Sequence, residues 1–367
     1  MARPRVLTER ELTVALLARQ LLLARRPRSA AAAVRRLVAL QAQYSPSPYV
    51  ALHARVEGFA IADLERALRR GAVVKSTLMR GTLHLVHAAD YPAYASAWRW
   101  QARRLLAGRE PELAARAAEI TAALDAFLAT PRTTDEVRAL TRRLAGGRLR
   151  HERDALDWAR SVLPLVHVPP SGFWRRHGRF SLVRWAGPPV PEDPHAGTVT
   201  LVRRYLAAFG PATREDLAAF TWLRYGQLDP ALAALEPLRR LTDDRGRELL
   251  DLPRAPLPRE DVPVPVRFLP KWDALLLSHR DRGRVLPEAH ADAILAARNG
   301  EMPATYLVDG QVAGTWRAEA REGTAVLTVR PLAGGRAALP AALEPEGLRL
   351  LAFLHPEARR RELVLAS

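Results

Sequence analysis

Cysteine is absent from the 367-residue chain, and long apolar runs are missing as well. The lack of cysteine excludes disulfide bonds, zinc sites built on thiolates and cysteine nucleophiles. No segment approaches the roughly 18 uninterrupted apolar residues that a membrane span requires. The N-terminal stretch "MARPRVLTERELTVALL" has no apolar run ahead of a small-residue cleavage site, so it does not have the pattern of a signal peptide. We therefore expect a cytoplasmic protein that does not contact a membrane.

Lysine is almost absent, since Lys75 and Lys271 are the only two, and arginine supplies the positive charge. The formal net charge is nevertheless +17 at pH 7. A basic excess of this size favours a polyanionic partner, and nucleic acid is the first choice. A basic surface that binds no nucleic acid is the alternative.

Several common catalytic signatures are also missing. The sequence contains no G-x-x-x-x-G-K-[ST], no H-E-x-x-H and no G-x-S-x-G motif. His84 and His87 lie three residues apart in a predicted strand, so their side chains point to opposite faces and suit a metal ion poorly. We expect neither a metal ion nor a cofactor.

Three stretches of the sequence share an order of helix, capped helix, helix and β-hairpin, which is typical of winged-helix units. Capping boxes are predicted at Thr8, Thr133 and Thr213, each followed three residues later by an acidic residue. Thr8 is expected to begin the first helix of the first unit. The predicted units span residues 1–110, 111–192 and 193–262.

The remaining residues, 263–367, follow a proline-rich link and are predicted to be β-rich. Asp309-Gly310 indicates a hairpin turn, and the stretch "PEGLRLLAFL" indicates one helix. The fold class is thus α+β, with three tandem winged-helix units followed by a small C-terminal sheet or β-barrel-like domain.

Three segments carry candidate functional residues. The first is Gln41-Ala42-Gln43 with Tyr44, which we expect at a helix end because Pro46 and Pro48 favour extended geometry in the residues before them. The second is the predicted hairpin that presents Arg80 and His84. The third mixes basic and aromatic side chains that suit DNA contact: Lys271, Trp272, Asp273, His279, Arg280 and Arg282.

Each segment also has a plainer interpretation. Two glutamines at a helix end often cap the helix or face water. Arg80 is then a surface turn residue, and the third segment is a solvated loop.

The stretches "LVALQAQYSPSPYVALHAR", "STLMRGTLHLVHAADY", "FLPKWDALLLSHRDR" and "LVDGQVAGTWR" resemble the winged-helix DNA glycosylase family related to AlkZ and YcaQ. The resemblance covers nearly the whole chain, and its most specific element is the Gln-apolar-Gln motif at residues 41–43. The YcaQ branch typically has aspartate at the second polar position, so Gln43 places the chain nearer the AlkZ branch. The resemblance implies that Gln41 and Gln43 are catalytic, and that three winged helices and a β-barrel cradle the duplex.

The same resemblance implies a role in DNA repair, namely removal of bulky or crosslinking alkyl adducts in bacteria that often make the alkylating toxin. A purine alkylated at N7 is already cationic and leaves without protonation, so a neutral glutamine needs only to hold a water. Neither lysine is expected beside the glutamine motif to form a Schiff base, which predicts a monofunctional enzyme. We expect a monomer that acts on double-stranded alkylated DNA in the nucleoid, with unhooking of interstrand crosslinks as an extension.

Two alternatives use the same fold without catalysis. Winged helices are common in transcription regulators, which read DNA through a recognition helix. A toxin-resistance protein that binds DNA or drug without turnover is the other.

Overall fold

The computed structural model describes residues 5–147, 149–296, 300–332 and 340–366. An N-terminal segment precedes the first repeat. It consists of β1 (Val6–Leu7), α1 (Glu9–Arg19) and β2 (Arg26–Pro27).

The first repeat builds a small sheet that carries the glutamine motif. Its elements are α2 (Ala30–Arg36), β3 (Leu40–Gln41), α3 (Ser47–Arg55), β4 (Val56–Glu57), α4 (Ile61–Arg69), β5 (Val73–Thr77) and β6 (Leu83–His87). The sheet has the order β3-β6-β5, and a short 3-10 turn at Met79–Gly81 closes the predicted hairpin. Strand β2 pairs with β4 outside this sheet.

The second repeat has the same order. A long helix, α5 (Tyr91–Arg109), and a short one, α6 (Pro111–Ala115), lead into it. The repeat consists of α7 (Ala117–Phe127), β7 (Arg132–Thr133), α8 (Thr134–Leu144), α9 (Asp154–Val162), β8 (Leu165–His167) and β9 (Ser181–Arg184). Its sheet order is β7-β9-β8, so the first short strand again pairs with the last strand of the hairpin.

The third repeat completes the series with α10 (Pro194–Phe209), α11 (Arg214–Thr221), α12 (Tyr225–Ala233), β10 (Arg239–Asp243) and β11 (Glu248–Asp251). A single bridge between Ala212 and Leu250 stands where the other repeats have their first short strand. Strand β1 adds to β10 in parallel. The order of a winged helix therefore occurs three times.

The position of α1 corrects one prediction. Thr8 caps α1 together with Glu11, as expected, but α1 is not the first helix of the first repeat. Arg19 of α1 forms a fully buried ion pair with Asp251 of β11 (2.8 Å), and β1 pairs with β10. The first helix of the first repeat is α2, and the boundaries after residues 110, 192 and 262 stay a proposal.

The C-terminal domain is a five-stranded sheet with one helix packed on it. Of the two forms predicted for this domain, a small sheet or a β-barrel-like domain, it has the first. Its elements are β12 (Arg267–Leu269), α13 (Ala274–Leu277), α14 (Ala291–Leu295), β13 (Thr305–Val308), β14 (Gln311–Arg321), β15 (Thr324–Pro331), α15 (Leu343–Leu354) and β16 (Arg360–Leu365). The strands follow chain order, antiparallel except for the β15–β16 pair. The predicted turn at Asp309 and Gly310 is confirmed, since both have positive φ between β13 and β14. Within the described ranges, no helix combines the length and apolarity needed to cross a membrane.

Candidate functional site

The glutamine motif begins on a strand, at Gln41, rather than at a helix end, which corrects the prediction. Helix α2 already ends at Arg36, and Val38 turns the chain with a φ of 70°. Gln41 in β3 then pairs with His84 in β6. The segment expected to be extended after the motif instead forms helix α3, because proline is tolerated in the first turn of a helix.

The Gln43 side chain extends the pairing of β3 with β6 beyond the strand. The Ala42 N–H donates to the Leu83 carbonyl (2.7 Å), and the Leu83 N–H donates to Gln43 Oε1 (3.2 Å). Gln43 itself is exposed. Its amide oxygen is thus fixed against the hairpin, and its NH2 group has no hydrogen-bond partner in the part of the chain that the structure describes.

Arg80 fixes the orientation of the buried Gln41 side chain. Arg80 lies at the tip of the β5–β6 hairpin with a φ of 58°, and its Nη2 is 3.3 Å from Gln41 Oε1. A guanidinium has donors only, so the Gln41 atom that faces it is the carbonyl oxygen. The other nitrogen of Arg80, Nη1, donates to the carbonyl of Phe220 (2.9 Å). Arg80 therefore joins the first repeat to the third, which a surface turn residue does not do.

His84 lies beside this contact and is neutral. His84 Nδ1 is 2.9 Å from the Thr82 carbonyl and therefore carries the hydrogen, which leaves Nε2 to accept from Arg80 Nη2 at 3.3 Å. Burial, and after it the charge of Arg80, lowers the pKa of His84 to about 3. Burial, and next the charge of Arg282, lowers the pKa of Arg80 to about 10, so Arg80 stays charged near neutral pH. Among the described residues, Gln41 is thus in contact with a fixed cation that has a neutral imidazole beside it, and neither of these two groups exchanges protons near pH 7.

A cavity of about 200 Å³ opens next to the motif, between the first two repeats and the C-terminal sheet. Tyr44 stacks on His177 of the second hairpin, with ring centroids 5.9 Å apart. Lys271 Nζ lies 5.8 Å from the centroid of the Tyr44 ring and pairs with Glu301. The walls include Tyr44, Trp174, Arg175, Lys271, Trp316 and His355. Lys271 thus approaches Tyr44, the residue after the motif, and the expectation that neither lysine lies beside the glutamines to form a Schiff base stays a prediction.

Lys75 lies elsewhere. It is opposite Leu85 in the β5–β6 ladder, whereas Gln41 is opposite His84. Because neighbouring positions of a strand point to opposite faces, the Lys75 side chain projects away from the glutamine site. Burial lowers its pKa to about 8.

The third candidate segment divides into exposed and buried parts. Lys271, Trp272 and Arg282 are half-buried, and Arg280 is exposed. Asp273 instead forms a doubly hydrogen-bonded ion pair with Arg55 (2.7 and 2.9 Å), and both side chains are 1% exposed. His279 is buried, at 3.1 Å from the Phe209 carbonyl. Neither Asp273 nor His279 presents a surface to a duplex, so both correct the sequence-based expectation.

Sequence reasoning missed Phe220 and His177. Phe220 contributes its carbonyl to Arg80 and its ring to the guanidinium, 5.0 Å away. It is one apolar residue among many in a helix, and no sequence pattern marks it. His177 lies in the tip of the second hairpin, which is rich in basic and aromatic residues. That composition is the sequence signal that could have identified it. No cluster of three or more potential metal-binding side chains occurs among the described residues.

Comparisons with known proteins show which family and which solved structure this chain is similar to. The model of the AlkZ-like DNA glycosylase family matches residues 34–353. Among solved structures, the Streptomyces sahachiroi DNA glycosylase AlkZ superimposes with a TM-score of 0.78 at 21% sequence identity. That alignment covers 98% of this chain and 100% of the other, and at this identity it bears on the fold alone. None of the curated protein sequences matches the chain.

Proposed function

Because the chain belongs to the AlkZ-like DNA glycosylase family, we propose that it cleaves the N-glycosidic bond of cationic N7-alkylated purines in double-stranded DNA. Gln41 and Gln43 position the attacking water in this reaction. The observation that carries the proposal is the Gln41 carbonyl, which is fixed by Arg80 beside a histidine that stays neutral.

The leaving group explains why the site needs no acid. When the glycosidic bond breaks, its electron pair moves onto the cationic purine, which departs as a neutral base. The sugar becomes oxocarbenium-like, and a water attacks its anomeric carbon and then loses a proton to solvent. Ordinary glycoside hydrolases protonate a poor leaving group with a carboxylic acid of raised pKa. No carboxylate hydrogen-bonds to either glutamine in the described parts of the chain, so the reaction relies on positioning.

The side-chain amides of Gln41 and Gln43 have different roles in this reaction. Arg80 occupies one side of Gln41 Oε1, and the second lone pair of that oxygen accepts a hydrogen bond from the water. The same oxygen favours positive charge that develops on the sugar. Gln43 holds its oxygen on the Leu83 N–H and directs its NH2 toward a sugar or phosphate oxygen. Both groups are held before substrate arrives, which lowers the entropic cost of aligning the water.

We extend the proposal to bulky adducts, toxin adducts of the producing organism and interstrand crosslinks. The supporting observation is the cavity of about 200 Å³ beside Tyr44, which opens next to the motif and offers space for a substituent on the base. We also propose a monofunctional, monomeric enzyme of the nucleoid. Lys75 faces away from Gln41, and Lys271 is paired with Glu301, so neither amine is disposed to attack the anomeric carbon.

Base release from defined duplexes tests this function. Purified protein is incubated with duplexes that carry N7-methylguanine, a mustard crosslink or uracil, and released base and abasic sites are measured. Release of the cationic base is expected, and the neutral uracil should stay in place. Gln41→Ala and Gln43→Ala should each lower the rate about 100-fold or more, as is typical for loss of a group that stabilises a transition state. Gln311→Ala, which removes a glutamine of the C-terminal sheet, is the matched control and should retain activity.

Three results would contradict the proposal. Efficient uracil release would show that the site does not depend on a cationic leaving group. A covalent complex trapped by borohydride during turnover would reveal lysine chemistry. Unchanged release by Gln41→Ala would remove the glutamine mechanism, and tight, sequence-dependent binding to undamaged DNA without any release would favour a regulator.

A further inference from the structure

Trp222 is an exposed tryptophan in an unusual backbone conformation at the end of helix α11. Its side chain belongs to the few large apolar ones that face solvent, with 59% of the residue exposed. Its φ is 59°, in the left-handed region. Bulky residues rarely adopt this conformation, because it costs free energy that glycine does not incur. Neither the exposure of the indole nor the left-handed backbone stabilises the folded chain, which makes the indole a candidate contact for a binding partner.

The second repeat shows the usual way to end the corresponding helix. Helix α8 is followed by Gly146, which has a φ of 70°. Glycine is the preferred residue at a left-handed helix end. The third repeat has tryptophan in the left-handed conformation at the end of α11 instead.

The turn around Trp222 is held firmly. The Thr221 hydroxyl donates to the Leu217 carbonyl (2.7 Å) and accepts from the Leu223 N–H (3.2 Å). The Trp222 N–H donates to the Ala218 carbonyl (2.9 Å). Thr221 and Leu223 are buried, at 1% and 3% exposed. The neighbours therefore anchor the backbone of the turn in the core, and the indole is left exposed to solvent.

A short chain of contacts connects this turn to the candidate site. Arg80 bonds at once to Gln41 Oε1 (3.3 Å) and to the Phe220 carbonyl (2.9 Å). Trp222 follows Phe220 by two residues, so their Cα atoms are at most about 7 Å apart. Tyr44, which is 42% exposed, directly follows Gln43 in the chain. One exposed aromatic residue thus adjoins the glutamine motif, and Trp222 lies two positions beyond the residue that Arg80 connects to Gln41.

We propose that Trp222 stacks on a base of the duplex next to the damaged nucleotide and so positions the lesion against Gln41 and Gln43. Aromatic and apolar side chains that enter a groove replace base stacking and open a base step. The indole offers a flat apolar face to any base, and the net charge of +17 favours the approach of the phosphate backbone. This inference rests on the proposed function and adds a DNA-contacting residue to it.

Substitution by glycine separates this role from a structural one. Glycine suits the left-handed conformation, so Trp222→Gly should melt at the same temperature as the wild type or higher.

The binding probe is a duplex with 2′-fluoro-7-methyl-2′-deoxyguanosine, whose fluorine slows cleavage, and a neighbouring 2-aminopurine. Loss of one stacked aromatic group should weaken binding about tenfold. The change in 2-aminopurine fluorescence that accompanies wild-type binding should disappear. Trp222→Phe should keep most of both effects, and Leu105→Ala, an exposed apolar residue of α5 (47%), should change neither.

Each result decides the matter. Wild-type affinity and fluorescence in Trp222→Gly overturn the proposal. A melting temperature that falls together with affinity also overturns it, because Trp222 would then be a packing residue. If the wild type releases no base but Trp222→Gly still binds the probe more weakly, the stacking role stands and the proposed reaction fails. If the wild type is active and Trp222→Gly binds normally, the reaction stands and the stacking role fails.

Discussion

Gln41 and Gln43 are held by different kinds of contact at the scale of single residues. Gln41 is 8% exposed, and the charged Arg80 fixes its oxygen. Gln43 is exposed, and a backbone N–H of the opposite strand fixes its oxygen. In both side chains the carbonyl is oriented by the protein, so the chemistry at this site is one of placement. Arg80 stays charged, with a pKa of about 10, and His84 beside it has a pKa of about 3, so neither takes part in proton transfer near neutral pH.

The pH dependence of base release should reflect this. Between about pH 5 and pH 8, single-turnover release of N7-methylguanine should show no inflection, because a bell-shaped profile requires a site acid or base that titrates there. A profile with a pKa near 6.5 that disappears in His84→Gln would contradict the assignment of a neutral, non-catalytic histidine.

Stability should respond to pH where activity does not. In the unfolded chain His84 takes up a proton near its ordinary pKa of 6.5, whereas the folded protein resists until about pH 3. Stability is therefore full above pH 6.5 and falls as the pH drops toward 3, by about 1.4 kcal/mol per pH unit for one histidine. Urea unfolding of wild type and His84→Gln at several pH values measures the difference in slope.

At the scale of elements, the glutamine motif occupies a place where the other repeats begin a helix with a capping box. Thr133 is the last residue of β7, and its hydroxyl accepts from the Glu136 N–H, as the Thr213 hydroxyl accepts from the Asp216 N–H at the start of α11. Gln41 is the last residue of β3, Ala42 and Gln43 follow it, and α3 has no side-chain cap. The first repeat thus lacks a stabilising feature at the position where its candidate site lies.

Thr133→Ala should destabilise the protein without changing catalysis. Loss of a threonine N-cap typically costs about 1 kcal/mol of stability, and the Thr133 hydroxyl also donates to the Glu136 carboxylate (2.7 Å). The urea midpoint should fall, and the rate of base release at a temperature where the variant is folded should match that of the wild type. An unchanged midpoint, or a rate that falls with the fold intact, would contradict the structural role.

At the scale of the whole molecule, buried ion pairs join parts of the chain that are far apart in sequence. Arg55 of α3 and Asp273 before α13 connect the first repeat to the C-terminal domain, and Arg19 and Asp251 connect α1 to the third repeat. Each pair is doubly hydrogen-bonded and removed from water. Loss of one partner leaves a buried charge without compensation.

Asp273→Asn should therefore cost about 3–5 kcal/mol in the free energy of unfolding. Asp309→Asn is the control, since Asp309 pairs with Arg10 at the surface and such pairs contribute at most about 1 kcal/mol. Urea unfolding measures both. An Asp273→Asn protein of normal stability that binds DNA weakly would restore the sequence-based view of Asp273 as a DNA contact.

Features that depend on neighbouring residues in the chain could be predicted from the sequence. The capping boxes at Thr8, Thr133 and Thr213 and the turn at Asp309-Gly310 are formed as predicted, because each depends on residues only a few positions apart. The repeated order of elements followed from the same local signals. The glutamine motif was visible through its family resemblance, although the end of α2 was placed too late.

Contacts between residues far apart in the chain could not be predicted from the sequence. Arg80 and Gln41 are 39 positions apart, and Arg55 and Asp273 are 218 apart. The burial of Asp273, the approach of Lys271 to Tyr44 and the pairing of β1 with β10 depend on how the repeats pack, which hydrophobic periodicity does not encode. A charged residue is predicted to lie at the surface until its ion-pair partner is known. Only the folded chain supplies the opposite charge that makes its burial possible.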